Sequence, residues 1–140
     1  MDYKLELVLV PVTDVDRAKA FYTDQAGFAC DVDHRAGDDF RVVQLTPPGS
    51  ACSISLGVGI TDAEPGSVTG THLVVVDIVA ARDELVGRGV TVSDIRHMGE
   101  GGWQPGPHPE RTDYGSFADF RDPDGNTWVL QEAHRGEPAA

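Results

Sequence analysis

The 140-residue sequence predicts an α+β fold: two tandem β-α-β-β-β modules whose curved mixed sheets surround a cup. Three observations predict it. Asp14-Val15 recurs as Asp77-Ile78, 63 residues on. Pro47-x-Gly49 recurs in the same order as Pro123-x-Gly125, 76 residues on. A repeat this long is a supersecondary unit and not a solenoid turn. The gain of 13 residues between the two matches places an insertion in the second copy, on the side where function is expected.

The elements follow in order. Residues 5–12 are apolar on both faces, interrupted by Glu6, and read as a buried strand. Thr13 or Asp14 caps the next helix, because a short oxygen side chain accepts a free first-turn N–H. Val15, Ala18, Phe21 and Tyr22 share one face of that helix and Asp16, Lys19 and Asp24 the other. Gly27 ends it. Residues 28–33 and 40–45 read as strands around Ala36-Gly37-Asp38, and 51–56 as a strand after Pro47-Pro48-Gly49. In the second copy 71–76 is a strand, 78–88 a helix with Ile78, Ala81 and Leu85 inward, and 91–96 a strand. Residues 98–113 hold four glycines and three prolines and are expected to be irregular. Residues 117–121 and 127–132 close the sheet, and 134–140 are expected to fray. The chain is read as one domain, 1–140: module 1 at 4–57, a linker at 58–69 and module 2 at 70–133.

Composition narrows the function. The chain is 40% apolar and 24% charged, as in an ordinary globular domain. A net charge of -12 repels a phosphate backbone, so no nucleic-acid partner is expected. The acidic surface serves solubility or favours cationic ligands. No apolar stretch approaches the ~20 residues needed to span a bilayer, and residues 1–6 lack a signal-peptide pattern. A cytoplasmic protein without a membrane partner is expected, with Cys30 and Cys52 as buried or half-buried thiols.

Paired modules carrying Val12-Thr13-Asp14-Val15-Asp16-Arg17-Ala18-x-x-Phe21-Tyr22 and Phe120-Arg121-Asp122-Pro123-Asp124-Gly125-Asn126 resemble the vicinal oxygen chelate superfamily. That superfamily includes glyoxalase I, extradiol dioxygenases, fosfomycin-resistance enzymes and bleomycin-resistance proteins. The resemblance covers almost the whole chain. It implies metal ligands on the first and fourth strand of each module. Counted from Asp14, Asp77, Ser50 and Asn126, those positions hold Leu7, Gly70, Ser53 and Val129. None is a ligand for a divalent ion, which needs imidazole, carboxylate or thiolate. His72 and Glu132 lie nearby, with His72 facing the cup and Glu132 facing away by parity. No metal and no other cofactor is therefore expected.

Alternation and the family pattern together give the cup lining. Leu7, Leu9, Gly70, His72 and Val74 come from first strands, and Ser53, Ser55, Val129 and Gln131 from fourth strands. Arg41, Val43, Phe117 and Asp119 come from third strands, and Trp103 from the insertion as a lid over the ligand. Apolar walls with a few convergent polar groups make a small-molecule pocket. Each polar group has a plainer reading: an Arg41–Asp119 ion pair, a satisfied core histidine at His72, and small packing residues at Ser53 and Ser55. The expected function is binding of an organic, partly aromatic or apolar small molecule without a metal, by a homodimer, as in bleomycin-resistance-like sequestration. The alternatives are a lyase, isomerase or hydrolase using His72 with Asp119, or a metal-dependent glyoxalase-like or dioxygenase-like enzyme if the strand registers shift.

Overall fold

The computed structural model describes residues 1–135; residues 136–140 of the expected frayed tail lie outside the described residues. The chain forms two compact units. The first comprises Met1–Thr69 with Asp122–Asn126, and the second begins at Gly70 and holds the remainder. Each unit carries one mixed sheet and one main helix.

In the first unit the order is β1 (Leu7–Leu9), α1 (Val15–Ala20) continuing as a π-helical turn (Phe21–Gln25), β2 (Ala29–Arg35), β3 (Arg41–Thr46) and β4 (Ser53–Val58). The sheet order is β1-β4-β3-β2, with β1 parallel to β4 and the other pairs antiparallel. β1 is shorter than the predicted strand. Its ladder runs from Glu6 O, which accepts from Ser53 N, to Val10 N, which donates to Ser55 O. Pro11 then has no N–H to continue it. Asp14 caps α1 by accepting from Arg17 N at 3.0 Å. Val15, Ala18 and Tyr22 are buried with Val43, Leu45, Ile54 and Leu56, so α1 and one sheet face make the core. β2 is the exposed edge strand, and it carries Cys30 in the open rather than buried or half-buried as expected; Cys52 is half-buried.

The segment Asp122–Asn126 belongs to this first unit and is held by more than turn geometry. Tyr22 donates its hydroxyl to Asp122 Oδ2 at 2.8 Å. Asp122 Oδ1 accepts from Asp124 N and Asn126 N, each at 2.9 Å. Asn126 donates Nδ2 to Pro11 O at 2.9 Å and accepts from Val68 N at 3.1 Å. Asp122 and Asn126 are both buried, and each such group needs these partners to offset the loss of water.

The second unit runs β5 (Thr71–Val75), α2 (Ile78–Gly87), β6 (Arg96–Gly99), β7 (Gly102–Pro105), β8 (Ser116–Arg121) and β9 (Thr127–Glu132). Its sheet order is β5-β9-β8-β6-β7. Asp77 caps α2 through Val79 N and Ala80 N at 3.1 Å. Two expectations fail here. Residues 91–95 form no strand, although Ser93 stays bonded to Asp119 by both its backbone and its hydroxyl. The insertion, expected to be irregular, folds its first part into the β6–β7 hairpin. Its glycines and prolines sit where a hairpin tolerates them: Gly101 and Gly102 take the turn with positive φ, and Pro105 lies on the outermost strand.

Candidate functional site: the open face of the second sheet

α2 packs against β8 and β9. On that side Ser116, Ala118, Phe120, Trp128, Leu130 and Glu132 are buried. Strand alternation then turns Phe117, Asp119, Val129 and Gln131 to the opposite, open face, where all four are half-buried. Paired residues on neighbouring strands share a face. Hence His72 joins beside Val129, Val74 beside Gln131, and Arg96 beside Phe117. Met98, two residues from Arg96, brings its partner Trp103 to the same side.

The aromatic part of this face is preassembled. Trp103 meets Phe117 edge-on, ring centres 5.4 Å apart at 86°, a favourable quadrupole arrangement. The Arg96 guanidinium lies 4.8 Å from the Trp103 ring centre and 5.9 Å from that of Phe117. Asp119 grips the same guanidinium from the side, Oδ2 at 2.8 Å from Nη1 and Oδ1 at 3.2 Å from Nη2. Trp103 remains 51% exposed and Met98 53%, so this patch offers apolar area to a partner molecule.

Several predicted site residues find different roles. Asp119 pairs with Arg96 and not with Arg41. Arg41 lies on the buried face of β3 with Val43 and Leu45, where Nε and Nη2 donate to Asp33 at 3.0 and 2.9 Å and Nη1 to Asp16 at 2.8 Å. Hydrogen bonds from Arg41 and then Lys19 hold the Asp33 carboxyl far below the usual carboxylate range. Arg41 is therefore structural and no part of a lining. Trp103 stands on β7 and not on an irregular loop. His72 is exposed, with Nδ1 2.6 Å from Gly70 O. It sits on β5 and Asp119 on β8, with β9 between them. Strands ~4.8 Å apart put their backbones about 10 Å apart, so Asp119 does not orient His72 as a general base would require.

On the first unit's sheet, register places Leu7 beside Ser53 and Leu9 beside Ser55, as expected, and Gln44 beside Ser55. Both serines are buried. Ser53 Oγ lies 2.6 Å from Thr46 Oγ1 and accepts from Gln44 Nε2 at 3.3 Å, which spends it within the sheet. Gln44 and Thr46, not Arg41 and Val43, are the β3 residues on this side.

The metal positions need one correction. Leu7 pairs with Ser53 in the first unit, and the equivalent pair in the second is His72 with Val129, not Gly70 with Val129. The connection from β5 to Asp77 is two residues shorter than that from β1 to Asp14. One imidazole facing a valine, and a leucine facing a serine, do not fit a divalent ion. Among the described residues no three His, Cys, Asp or Glu side chains come together to hold one.

Glu132 carries a role that sequence reasoning missed. Fully buried, its carboxylate accepts from Arg111 Nε at 2.9 Å, Arg111 Nη2 at 2.7 Å and Ile78 N at 2.9 Å. These bonds, Arg111 foremost, hold its carboxyl below the usual range. Arg111 and Tyr114 both have positive φ, and Tyr114 N donates to Glu132 O at 2.6 Å. Residues 106–115 are thereby strapped to β9. Of the weaker candidates, His97 has the parity opposite to Arg96, with Nδ1 2.8 Å from Gly106 O, and His108 accepts from Glu110 N. Arg96 and Met98 were also missed; reading Glu100-Gly101-Gly102 as a hairpin turn would have found them.

A sequence profile of the Glyoxalase/Bleomycin resistance protein/Dioxygenase superfamily matches residues 4–130. The chain is similar to TnmS3, an antibiotic binding protein from Streptomyces sp. CB03234, with 32% identity, TM-score 0.72, and coverage of 94% of this chain and 96% of that one. It is similar to a glyoxalase/bleomycin resistance protein from the same organism, with 33% identity, TM-score 0.69 and coverage of 91% and 99%. A superfamily member from Sphaerobacter thermophilus DSM 20745 aligns at 29% identity, TM-score 0.73, covering 94% and 98%.

Proposed function

Since the chain belongs to the Glyoxalase/Bleomycin resistance protein/Dioxygenase superfamily, we propose that it binds an organic, partly aromatic small molecule without a metal and sequesters it. The observation that carries this reading is the half-exposed Trp103, fixed against Phe117 and Arg96 on the open face of the second sheet. An aromatic held in place loses little further freedom when a ligand stacks on it, so less of the contact energy is offset by ordering. Trp103 acts as a platform within a strand and not as a lid that closes. Likeness to an antibiotic binding protein over nearly the full chain supports the same ligand class.

Metal independence is supported by the donor set: Leu7, Ser53, His72 and Val129 offer one good ligand among four positions. No described helix is long and apolar enough to cross a membrane, and the two free cysteines suit a reducing compartment, which supports the cytoplasm. Pairing as a homodimer is proposed because members of the superfamily complete their cups by pairing such modules, and light scattering that gives twice the 15.0 kDa chain mass is the expected result.

Native mass measurement of protein purified without chelators, with elemental analysis of the same sample, tests the reading. An organic adduct, or a binding site filled from a panel of aromatic compounds, with no stoichiometric metal is expected. Near-stoichiometric zinc, iron, nickel or manganese would overturn it.

A further inference from the structure

We propose that the Arg96–Asp119 pair sets the charge class of the ligand: the face takes an uncharged planar aromatic and refuses the corresponding acid. This rests on the binding function proposed above. A guanidinium offers a flat face for stacking and in-plane N–H donors for anions. Here the flat face is spent on Trp103, at 4.8 Å. Nη1 and Nη2 each give one N–H to Asp119, at 2.8 and 3.2 Å, which sets the carboxylate against the end of the guanidinium. Arg96 therefore serves as a positioning residue for the ring, and its charge is already matched by a carboxylate at contact distance.

The outward sign of the pair is negative. Asp119 is 43% exposed and Arg96 29%, so an approaching anion meets the carboxylate first, on a chain of net charge -12. Arg121 shares the face of Asp119 by parity and is exposed. It lies two residues beyond Asp119 and four beyond Phe117, roughly 14 Å from the aromatic cluster at ~3.4 Å per residue. That exceeds the ~8 Å screening length at physiological salt, so Arg121 does not reverse the sign at Trp103. Val129 and Gln131, the other neighbours on β9, carry no charge.

The pair of probes that isolates charge is phenylnaphthylamine and its sulfonate, anilinonaphthalene sulfonate, which share the same rings. Fluorescence titration of the wild-type protein should give tighter binding of the neutral probe, with the binding of both weakened in Trp103→Ala. Asp119→Asn leaves Arg96 uncovered and should tighten the sulfonate about five- to tenfold relative to the neutral probe, the scale of one exposed charge at contact distance. Arg96→Gln leaves Asp119 unopposed and should move the same ratio the other way, so a folding defect in one variant leaves the other as the test. Melting curves on both establish that folded protein is compared. A ratio that both variants leave unchanged overturns the inference while the binding function stands. Failure of the neutral probe to bind in a Trp103-dependent manner overturns both.

Discussion

Replacing Glu132 with glutamine separates the strap on β9 from everything else in the second unit. The wild-type carboxylate is fully buried and accepts three charge-assisted bonds, two from Arg111 and one from Ile78 N. A glutamine keeps one acceptor oxygen and turns an NH2 donor toward either Arg111 or the Ile78 amide, which are donors themselves. Bonds to charged groups contribute about 1.5–3 kcal/mol each, and removing one partner of a buried pair costs about 3–5 kcal/mol. Arg111 is 39% exposed and retains Asp77 at 3.3 Å, so water recovers part of the loss. The expected destabilisation is about 3 kcal/mol near neutral pH. The pH dependence has a definite sign. The folded carboxyl is held below the usual glutamate value, so in acid the unfolded chain binds more protons and stability rises with pH. Glu132 therefore contributes in full above the ordinary value of ~4.3, and its contribution is lost as pH falls through the depressed folded value. Urea unfolding followed by tryptophan fluorescence should show the gap between wild type and Glu132→Gln close as pH is lowered from about 5. Asp33 and Asp113 are also depressed, but they are common to both proteins and cancel, whereas Asp77 shares Arg111 with Glu132 and keeps part of the acid dependence in the variant. A gap below about 1 kcal/mol at neutral pH, or one that persists unchanged into acid, would refute the reasoning.

Gly66→Ala should destabilise the first unit by about 2–3 kcal/mol in the same unfolding assay, because a Cβ there would meet Asp124 O at 2.2 Å with φ at +81°; an unchanged urea midpoint would contradict it. Tyr22→Phe removes the 2.8 Å bond to buried Asp122 Oδ2 but leaves that oxygen Asn126 Nδ2 at 2.8 Å, so a loss of about 1 kcal/mol is expected and a loss above about 3 kcal/mol would mean the bond anchors more than itself.

Local chemistry made much of the fold legible. Asp14 and Asp77 are the helix caps that their position before an apolar face suggests. Parity assigned Trp128 and Glu132 to the buried face and Phe117, Asp119, Val129 and Gln131 to the open one. What failed was counting across connections. The shorter link from β5 to α2 moved the ligand position from Gly70 to His72. Counting back from Thr46, on the assumption that both modules turn alike, chose Arg41 and Val43 where register gives Gln44 and Thr46. The hairpin was hidden because glycine and proline mark turns and edges as well as irregular chain. Arg111 gave no signal at all, since a lone arginine declares its partner only when topology brings an acid beside it.

The affinity of the neutral probe for Trp103→Ala, measured beside its melting temperature, tests the central claim most directly. Removing the platform should weaken phenylnaphthylamine by about 1–3 kcal/mol, the scale of one large side chain's contact area, or roughly five- to 150-fold. Stability should fall by only about 1–2 kcal/mol, from the lost ring contact with Phe117 and the stacked Arg96, which is a few degrees in Tm. Unchanged affinity together with a melting point lowered by more than about ten degrees would make Trp103 a packing residue and remove the site from the second sheet.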